Sequence, residues 1–227
     1  WKDRLTLFET DAENCNTSVK VQQLFAHHLR QEYIDDGSLF TEQKAARVLS
    51  VYQHSINLYD QWPVTHYGAG NVLFFDLGKP EKALPFYEQA VSLNPNYADA
   101  RYDLLNAYLA VNNFEKAEEV LNGLVMDFPE DESLYDRMLQ KLFRSNDLAK
   151  AEHLNSRFLI AFPNLDKPLI YQGNLTLSKG DTLGALELFE SALVINPTYE
   201  EFEIYVDQLY LEIGINRPLS NSEERTP

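Results

Sequence analysis

The chain has 227 residues, of which 44% are hydrophobic, so it can bury a continuous core in one large domain or two smaller ones. Its formal net charge is −16 at pH 7, and this field repels phosphate backbones and anionic lipid headgroups. We therefore expect no nucleic-acid partner. No apolar run reaches the ~18 residues of a membrane span, so we expect no direct membrane insertion by this fragment. The single cysteine, Cys15, excludes an internal disulfide and a cysteine-based zinc site.

The first 63 residues predict helices with an enlarged loop between two of them. WKDRLTLFETDAEN opens the chain as one helix, and SVKVQQLFAHHLRQEY (18–33) follows as a second. The connection IDDGSLFTEQK (34–44) precedes VLSVYQHSINLYDQW (48–62), a third helix whose start we place near Thr41. Because the chain begins at Trp1 rather than at a methionine, we expect a fragment or a processed form.

From residue 64 onward the sequence repeats itself every 34 residues. Buried-type alanines keep this spacing at Ala83, Ala117, Ala151 and Ala185. Prolines keep it at Pro95, Pro129, Pro163 and Pro197. Residues that tolerate a left-handed backbone stand five positions before each alanine, at Gly78, Asn112, Asn146 and Gly180. Since proline cannot continue a helix, the pattern predicts four helix pairs, at 64–97, 98–131, 132–165 and 166–199.

This pattern resembles the tetratricopeptide repeat (TPR) family, whose unit is two antiparallel helices in 34 residues. The resemblance implies an all-α fold, a right-handed TPR superhelix (α-solenoid) of antiparallel helix pairs. In each pair, helix A precedes the turn and helix B follows it. Residues 1–63 then form degenerate N-terminal TPR units with the enlarged loop near 34–44, residues 200–214 a C-terminal capping helix, and residues 215–227 a flexible tail.

Two positions depart from the family pattern. The usual glycine of helix A is present as Gly173, but Asn71, Leu105 and Leu139 hold that position in the other units. Asn155 stands where helix B usually has an aromatic residue, so we expect looser packing in the third unit.

The opening residues carry a second resemblance. WKDRLTLFETDAEN followed by NCNTSVKVQQLFAHHL resembles the start of the TPR region that follows the membrane part of protein O-mannosyltransferase-like multi-pass proteins. This resemblance implies a periplasmic or otherwise extracytoplasmic domain of a membrane protein, with glycosyl transfer in an upstream part. Without it, we expect a cytoplasmic protein.

No combination of residues predicts catalysis. The five histidines lack metal-ligand spacing, and the chain has neither a G-x-S-x-G motif nor a glycine-rich phosphate loop. Acidic pairs such as Glu118–Glu119 are typical of a solvated surface. We therefore expect a non-enzymatic chain with no catalytic residue, no metal and no cofactor.

The candidate site is the concave groove that helix A lines in a TPR stack. Side-chain amides recur there at the repeat spacing, at Asn106, Gln140, Asn174 and Gln208. Amides donate and accept at once, so a row of them suits an extended peptide backbone, or else stabilises the stack itself. The full predicted peptide-binding groove comprises Tyr102, Asn106, Arg137, Gln140, Arg144, Lys167, Tyr171, Asn174, Tyr205 and Gln208. Only Asn106 and Lys167 match the carboxylate clamp that TPR proteins use for chaperone tails, which disfavours that clamp.

Three functions are compatible with this pattern. The first is a non-catalytic module that binds a protein or peptide in its groove. The second is an extracytoplasmic accessory domain of a membrane glycosyltransferase that positions acceptor proteins. The third is an assembly scaffold that self-associates as a homo-oligomer.

Overall fold

A computed structural model describes residues 4–37 and 39–218, and these ranges contain helices and no strand. The elements in chain order are α1 (Arg4–Asn14), α2 (Val19–Asp35), α3 (Glu42–Leu58), α4 (Pro63–Asn71), a π-helical turn (Val72–Asp76), α5 (Pro80–Leu93), α6 (Ala98–Ala110), α7 (Phe114–Asp127), α8 (Ser133–Arg144), α9 (Leu148–Ala161), α10 (Asp166–Ser178), α11 (Thr182–Ile195) and α12 (Glu200–Glu212). The predicted fold class, an all-α fold of the α-solenoid kind, is confirmed.

The ends of the helices have the local causes that the sequence predicted. The turns between helix A and helix B have left-handed φ values of +60° at Gly78, +58° at Asn112, +57° at Asn146 and +84° at Gly180. Side chains cap three helix starts, because Thr41, Asp147 and Asp181 each accept a backbone N–H three residues on. Thr41 therefore fixes the start of α3 where the sequence placed it.

The chain divides into two compact units, residues 1–127 (unit 1) and 128–227 (unit 2). Within each unit, every helix packs against its neighbour in sequence, from α1 to α7 and from α8 to α12. The repeated alanines lie at these contacts and are fully buried, at Ala83, Ala117, Ala151 and Ala185. Small side chains here let helix A and helix B approach closely, as the repeat predicted.

Glycine on helix A makes room for an aromatic ring on helix B. A Cβ atom on Gly173 would lie 2.2 Å from Cε1 of Phe189, whose ring is fully buried. In unit 1 the same relation joins Gly70 to Tyr87, where a Cβ would lie 2.6 Å from Cε1. The prediction that Asn71 replaces the helix A glycine is therefore wrong, since Gly70 occupies that place.

The π-helical turn explains this shift of one position. Gly70 and Gly173 are 103 residues apart, one more than three repeats of 34. The extra residue lies in Val72–Asp76, where the N–H of Leu77 donates to the carbonyl of Val72, five residues back, at 3.1 Å. Residues before the turn thus carry numbers one lower than the 34-residue spacing assigns.

Asn155 is fully buried and does not leave α9 loosely attached. Its Nδ2 donates to the carbonyl of Pro168 at 3.0 Å and to Oε1 of Gln172 at 3.2 Å, which ties α9 to α10. Within the described part of the chain, its Oδ1 has no hydrogen-bond partner. The polar residue therefore exchanges aromatic packing for a hydrogen-bonded contact, at the cost of one unsatisfied acceptor.

The end of the described chain is held by Arg217. Its guanidinium binds both oxygens of Glu190, with Nε–Oε1 at 2.7 Å and Nη2–Oε2 at 3.0 Å. Nη1 also reaches Asp207 at 2.8 Å. The predicted flexible tail thus does not begin at residue 215, because these ion pairs attach the segment to α11 and α12. The rest of that prediction, for residues 219–227, lies outside the described residues.

Candidate functional site

A cavity of about 510 Å³ opens on unit 2. It lies where α8 and α10 meet the turn that follows α11. Its lining is polar on one side and apolar or aromatic on the other, and consists of Glu132, Asp136, Gln140, Leu165, Asp166, Lys167, Ile170, Tyr171, Asn196, Thr198 and Tyr199. Three predicted groove residues, Gln140, Lys167 and Tyr171, come together in this cavity.

Asp136 on α8 organises the polar side of the cavity. Its Oδ1 accepts the hydroxyl of Tyr171 at 2.5 Å, and its Oδ2 accepts Nε2 of Gln140 at 3.0 Å. The ring of Tyr171 also stacks on Phe143, with centroids 5.4 Å apart. Burial, together with the hydrogen bond to Asp136, raises the pKa of Tyr171, so the phenol stays a neutral donor at physiological pH.

Lys167 bridges two carboxylates of α8 or its N-terminus. Its Nζ lies 3.0 Å from Oε1 of Glu132 and 3.8 Å from Oδ2 of Asp136. Burial alone would lower the pKa of Lys167, but the hydrogen bond to Glu132 and the nearby carboxylate charges raise it above its ordinary value. The ammonium is therefore charged and already paired.

Asp166 forms the floor of the cavity at the start of α10 and is 8% exposed. Its Oδ1 accepts the backbone N–H of Lys167 at 2.9 Å, and its Oδ2 accepts Nδ2 of Asn196 at 2.9 Å. The carboxylate thus links α10 to the turn after α11. A carboxylate is favourable at this position because it faces the positive end of the helix dipole.

The other predicted groove residues lie outside this cavity lining. Arg137, Arg144, Asn174, Tyr205 and Gln208 belong to the same unit as the cavity, and Tyr102 and Asn106 belong to unit 1. Tyr205 packs on Phe189 and Phe202, with centroids 5.9 and 6.1 Å away, so it contributes to the core around α11 and α12. Arg144, exposed at the end of α8, lowers the pKa of Tyr171 through its charge, although this effect is smaller than that of burial.

The sequence prediction missed the acidic residues of the cavity. Glu132 and Asp166 occupy the first position of successive repeats, and Glu200 follows at the same spacing. That recurrence was a usable signal, but it was hidden among the 35 acidic residues of the chain. Tyr199 and Asn196 could not be predicted, since they enter the cavity from the turn before α12.

The amide row gains a member in unit 1 because of the π-helical turn. The 34-residue spacing assigned Val72 to the row, but Val72 is fully buried. With the extra residue counted, Asn71 occupies the position, and its Oδ1 accepts the hydroxyl of Tyr87 at 2.9 Å. Nδ2 of Asn106 lies 3.5 Å from Oδ1 of Asp103, and Gln140 binds Asp136, each within its own helix. Members of the row are thus engaged by their own unit.

Unit 1 has its own aromatic and acidic surface along helix A. The hydroxyl of Tyr67 donates to Oδ2 of Asp103 at 2.9 Å, and the ring of Tyr67 lies 5.0 Å from that of Tyr97. Burial, aided by the charges of Asp99 and Asp103, raises the pKa of Tyr97 to about 12. Tyrosine–aspartate hydrogen bonds between successive A helices therefore occur in both units.

Exposed apolar side chains recur at one position of helix B. Met126, Ile160 and Val194 stand 34 residues apart, and each is 82% exposed. Ile160 and Val194 belong to unit 2, on α9 and α11. Isolated exposed apolar residues are ordinary, but a repeated position is a candidate contact surface.

A tetratricopeptide-repeat family model matches residues 74–142. The chain is also 24% identical over 221 residues to the BBSome complex member BBS4 of Bos taurus, an alignment that covers 95% of this chain and 35% of that protein. The chain thus spans about a third of the length of this curated relative. The comparisons do not show the resemblance to O-mannosyltransferase-like proteins, which stays a prediction. None of the helices within 4–37 and 39–218 combines the length and apolarity needed to cross a membrane.

Solved structures show the same fold at low sequence identity. YrrB, a TPR protein with an unusual peptide-binding site, superposes with a TM-score of 0.63 at 18% identity, over 88% of this chain and 97% of YrrB. MamA from Desulfovibrio magneticus RS-1 gives a TM-score of 0.58 at 18% identity, over 78% of this chain and 97% of that chain. The repeat spacing, the helix pairs, the family match and these folds agree: the chain contains tetratricopeptide repeats.

Proposed function

We propose that this protein is a non-catalytic module that binds a protein or peptide on the helix A surfaces of its repeats. The cavity of unit 2 carries this proposal, because it gathers Gln140, Lys167 and Tyr171 with exposed aromatic and amide groups in one open depression. Two similar proteins support a role in recognition: YrrB has a peptide-binding site, and BBS4 is a member of a complex.

The chemistry of the surface suits binding rather than bond breaking. The tyrosine hydroxyls and amides described above are hydrogen-bonded to neighbouring carboxylates, and their arrangement lacks a nucleophile beside a base. Amides that already donate to a carboxylate retain a carbonyl acceptor for a peptide N–H. Such a surface holds an extended chain through its backbone and reads side chains in the cavity.

The test uses the 227-residue chain and an array of synthetic 12-residue peptides that vary in sequence and in net charge. We expect the array to retain the protein on a subset of peptides. The triple variant Asn106→Ala, Gln140→Ala and Asn174→Ala should then weaken that binding while far-UV circular dichroism stays unchanged. A matched triple variant, Gln43→Ala, Gln53→Ala and Asn57→Ala, removes exposed amides from α3 and should bind like the parent chain. Retention by no peptide, or equal affinity of the two triple variants, would contradict the proposal.

The accessory role in a membrane glycosyltransferase depends on the opening residues alone. The sequence upstream of Trp1 in the full gene product decides it. Several apolar spans of ~20 residues there would support this role, and an ordinary soluble start would exclude it.

Self-association is favoured by the repeated exposed position on helix B. Ile160 and Val194 present apolar side chains from α9 and α11 of the same unit. Light scattering over a range of concentrations tests this role, and Ile160→Glu together with Val194→Glu should lower any self-association. A strict monomer at every concentration would exclude it.

A further inference from the structure

We propose that the cavity of unit 2 accepts the cationic side chain of a partner, so that the ligand is a peptide segment rich in arginine or lysine. This inference rests on the proposed peptide-binding function and names the chemistry of its partner. It stands on the charge, the pre-formed geometry and the walls of the cavity.

The cavity has an excess of negative charge. Three carboxylates, those of Glu132, Asp136 and Asp166, face one ammonium, that of Lys167, which leaves a formal charge of −2 in the lining. Lys167 is already shared between Glu132 and Asp136. An anionic ligand would therefore meet three carboxylates and only one paired cation, whereas a cationic ligand finds acceptors that still have lone pairs available.

The carboxylates are held in place before any ligand arrives. Asp136 is fixed by Tyr171 and Gln140, and Asp166 is fixed by Asn196 and by a backbone N–H. Glu132 accepts Lys167 through Oε1, and its second oxygen is the one that a new donor can reach with least disturbance. Fixed acceptors lower the ordering cost of binding, since the protein does not rearrange to meet the ligand.

The remaining walls suit the rest of a long basic side chain. Leu165 and Ile170 provide apolar surface for the methylene stem, and Tyr199, which is 44% exposed, provides an aromatic face. Arginine and lysine bury their stems on apolar surface and are attracted to aromatic faces. The volume of about 510 Å³ lies in the ~300–1,000 Å³ range of ligand pockets.

The rest of the chain favours the same partner. In unit 1, Asp99 and Asp103 accompany Tyr67 and Tyr97 along helix A, the same pairing of acids with tyrosines. The net charge of −16 attracts basic segments over longer distances and speeds their encounter at low ionic strength. A basic peptide therefore meets favourable chemistry in both units.

The test measures peptides recovered from the array by fluorescence anisotropy with the whole chain, in three forms: basic, the same sequence with citrulline and acetyl-lysine in place of arginine and lysine, and an acidic counterpart. Two variants change the charge of the cavity in opposite directions. Glu132→Gln removes an acceptor charge, and we expect about fivefold weaker binding of the basic peptide. Lys167→Gln removes the competing ammonium, and we expect about fivefold tighter binding. Glu187→Gln, an exposed glutamate of α11 outside the cavity, is the control for net charge and should leave the affinity unchanged.

Each outcome separates this inference from the function on which it rests. Preference for basic peptides, with opposite effects of Glu132→Gln and Lys167→Gln, supports the inference. Preference for acidic or neutral peptides, or weaker binding after Lys167→Gln, overturns it while peptide binding itself stands. Basic peptides that respond to neither variant bind elsewhere, which also overturns it. Retention of no peptide contradicts the proposed function and the inference together.

Discussion

Gly173→Ala tests whether the repeat packs as the glycine–aromatic contact indicates. The new Cβ would lie 2.2 Å from Cε1 and 2.6 Å from Cδ1 of Phe189. The ring cannot swing away freely, because it is fully buried and meets Phe202 and Tyr205 with centroids 5.3 and 5.9 Å away. Overpacking of this kind costs about 3 kcal/mol, and the better helix propensity of alanine returns about 1 kcal/mol. We therefore expect the free energy of unfolding of unit 2 to fall by about 2 kcal/mol.

Urea denaturation measures this change, and the two units have different probes. Trp62 lies in unit 1, and the sequence of residues 128–227 contains no tryptophan. Far-UV circular dichroism follows both units, whereas tryptophan fluorescence follows unit 1. With a typical urea m-value of about 2 kcal/mol per molar, the midpoint of the unit 2 transition should fall by about 1 M. The fluorescence midpoint should stay where it is.

Gly123→Ala is the matched control. Gly123 also lies within a helix, but its new Cβ would meet only the guanidinium end of Arg101, at 2.8 Å, which can move. We expect no loss of stability and a gain of up to about 1 kcal/mol. The double variant Gly173→Ala with Phe189→Leu should regain part of the loss by making room for the methyl group. If Gly173→Ala is as stable as Gly123→Ala, the proposed contact is wrong.

Three further predictions concern buried polar groups. Arg30→Met removes the partner of Asp76, whose carboxylate is 8% exposed and bonded at 2.5 and 2.9 Å, and should lower the free energy of unfolding of unit 1 by about 3 kcal/mol, seen as an earlier urea transition in Trp62 fluorescence. Asn155→Ala deprives the carbonyl of Pro168 of its donor and should cost unit 2 about 1–3 kcal/mol by circular dichroism, whereas an unchanged midpoint would mean that the hydrogen bond adds nothing. Tyr97 keeps its neutral form up to a pKa of about 12, so its contribution to stability is complete below pH 10 and is lost as the pH rises towards 12; unfolding at pH 9 and pH 11 should show this loss, and Tyr97→Phe should reduce it.

Repeat spacing predicted the helices because it reports local chemistry. A left-handed residue closes helix A, an alanine lets helix B approach it, and a proline follows the end of helix B, and each of these acts within a few residues. Asn112 and Asn146 could be assigned to the turns from sequence for this reason. The cavity could not be predicted in the same way. Its floor, Asp166, binds Asn196, 30 residues further along the chain, and such a contact depends on how successive helices are placed.

One inserted residue shows where a fixed spacing fails. The π-helical turn at Val72–Asp76 keeps the turn glycine in register and moves everything before it in helix A by one position. The spacing therefore assigned the groove position of unit 1 to buried Val72 rather than to Asn71. A spacing rule carries no information about where an extra residue is absorbed, and backbone hydrogen bonding decides that.

The contact between the helix A glycine and the helix B ring also sets rules for engineering this protein. The unit with Gly173 carries Phe189, whereas the units with Leu105 and Leu139 at that position carry Leu121 and Asn155 opposite. A helix transplanted from one unit to another would thus bring either two bulky groups or two small ones to the same contact. Repeats of this chain can be shuffled only as whole pairs of helices, and a consensus repeat built by choosing the most frequent residue at each position separately would fail at this contact.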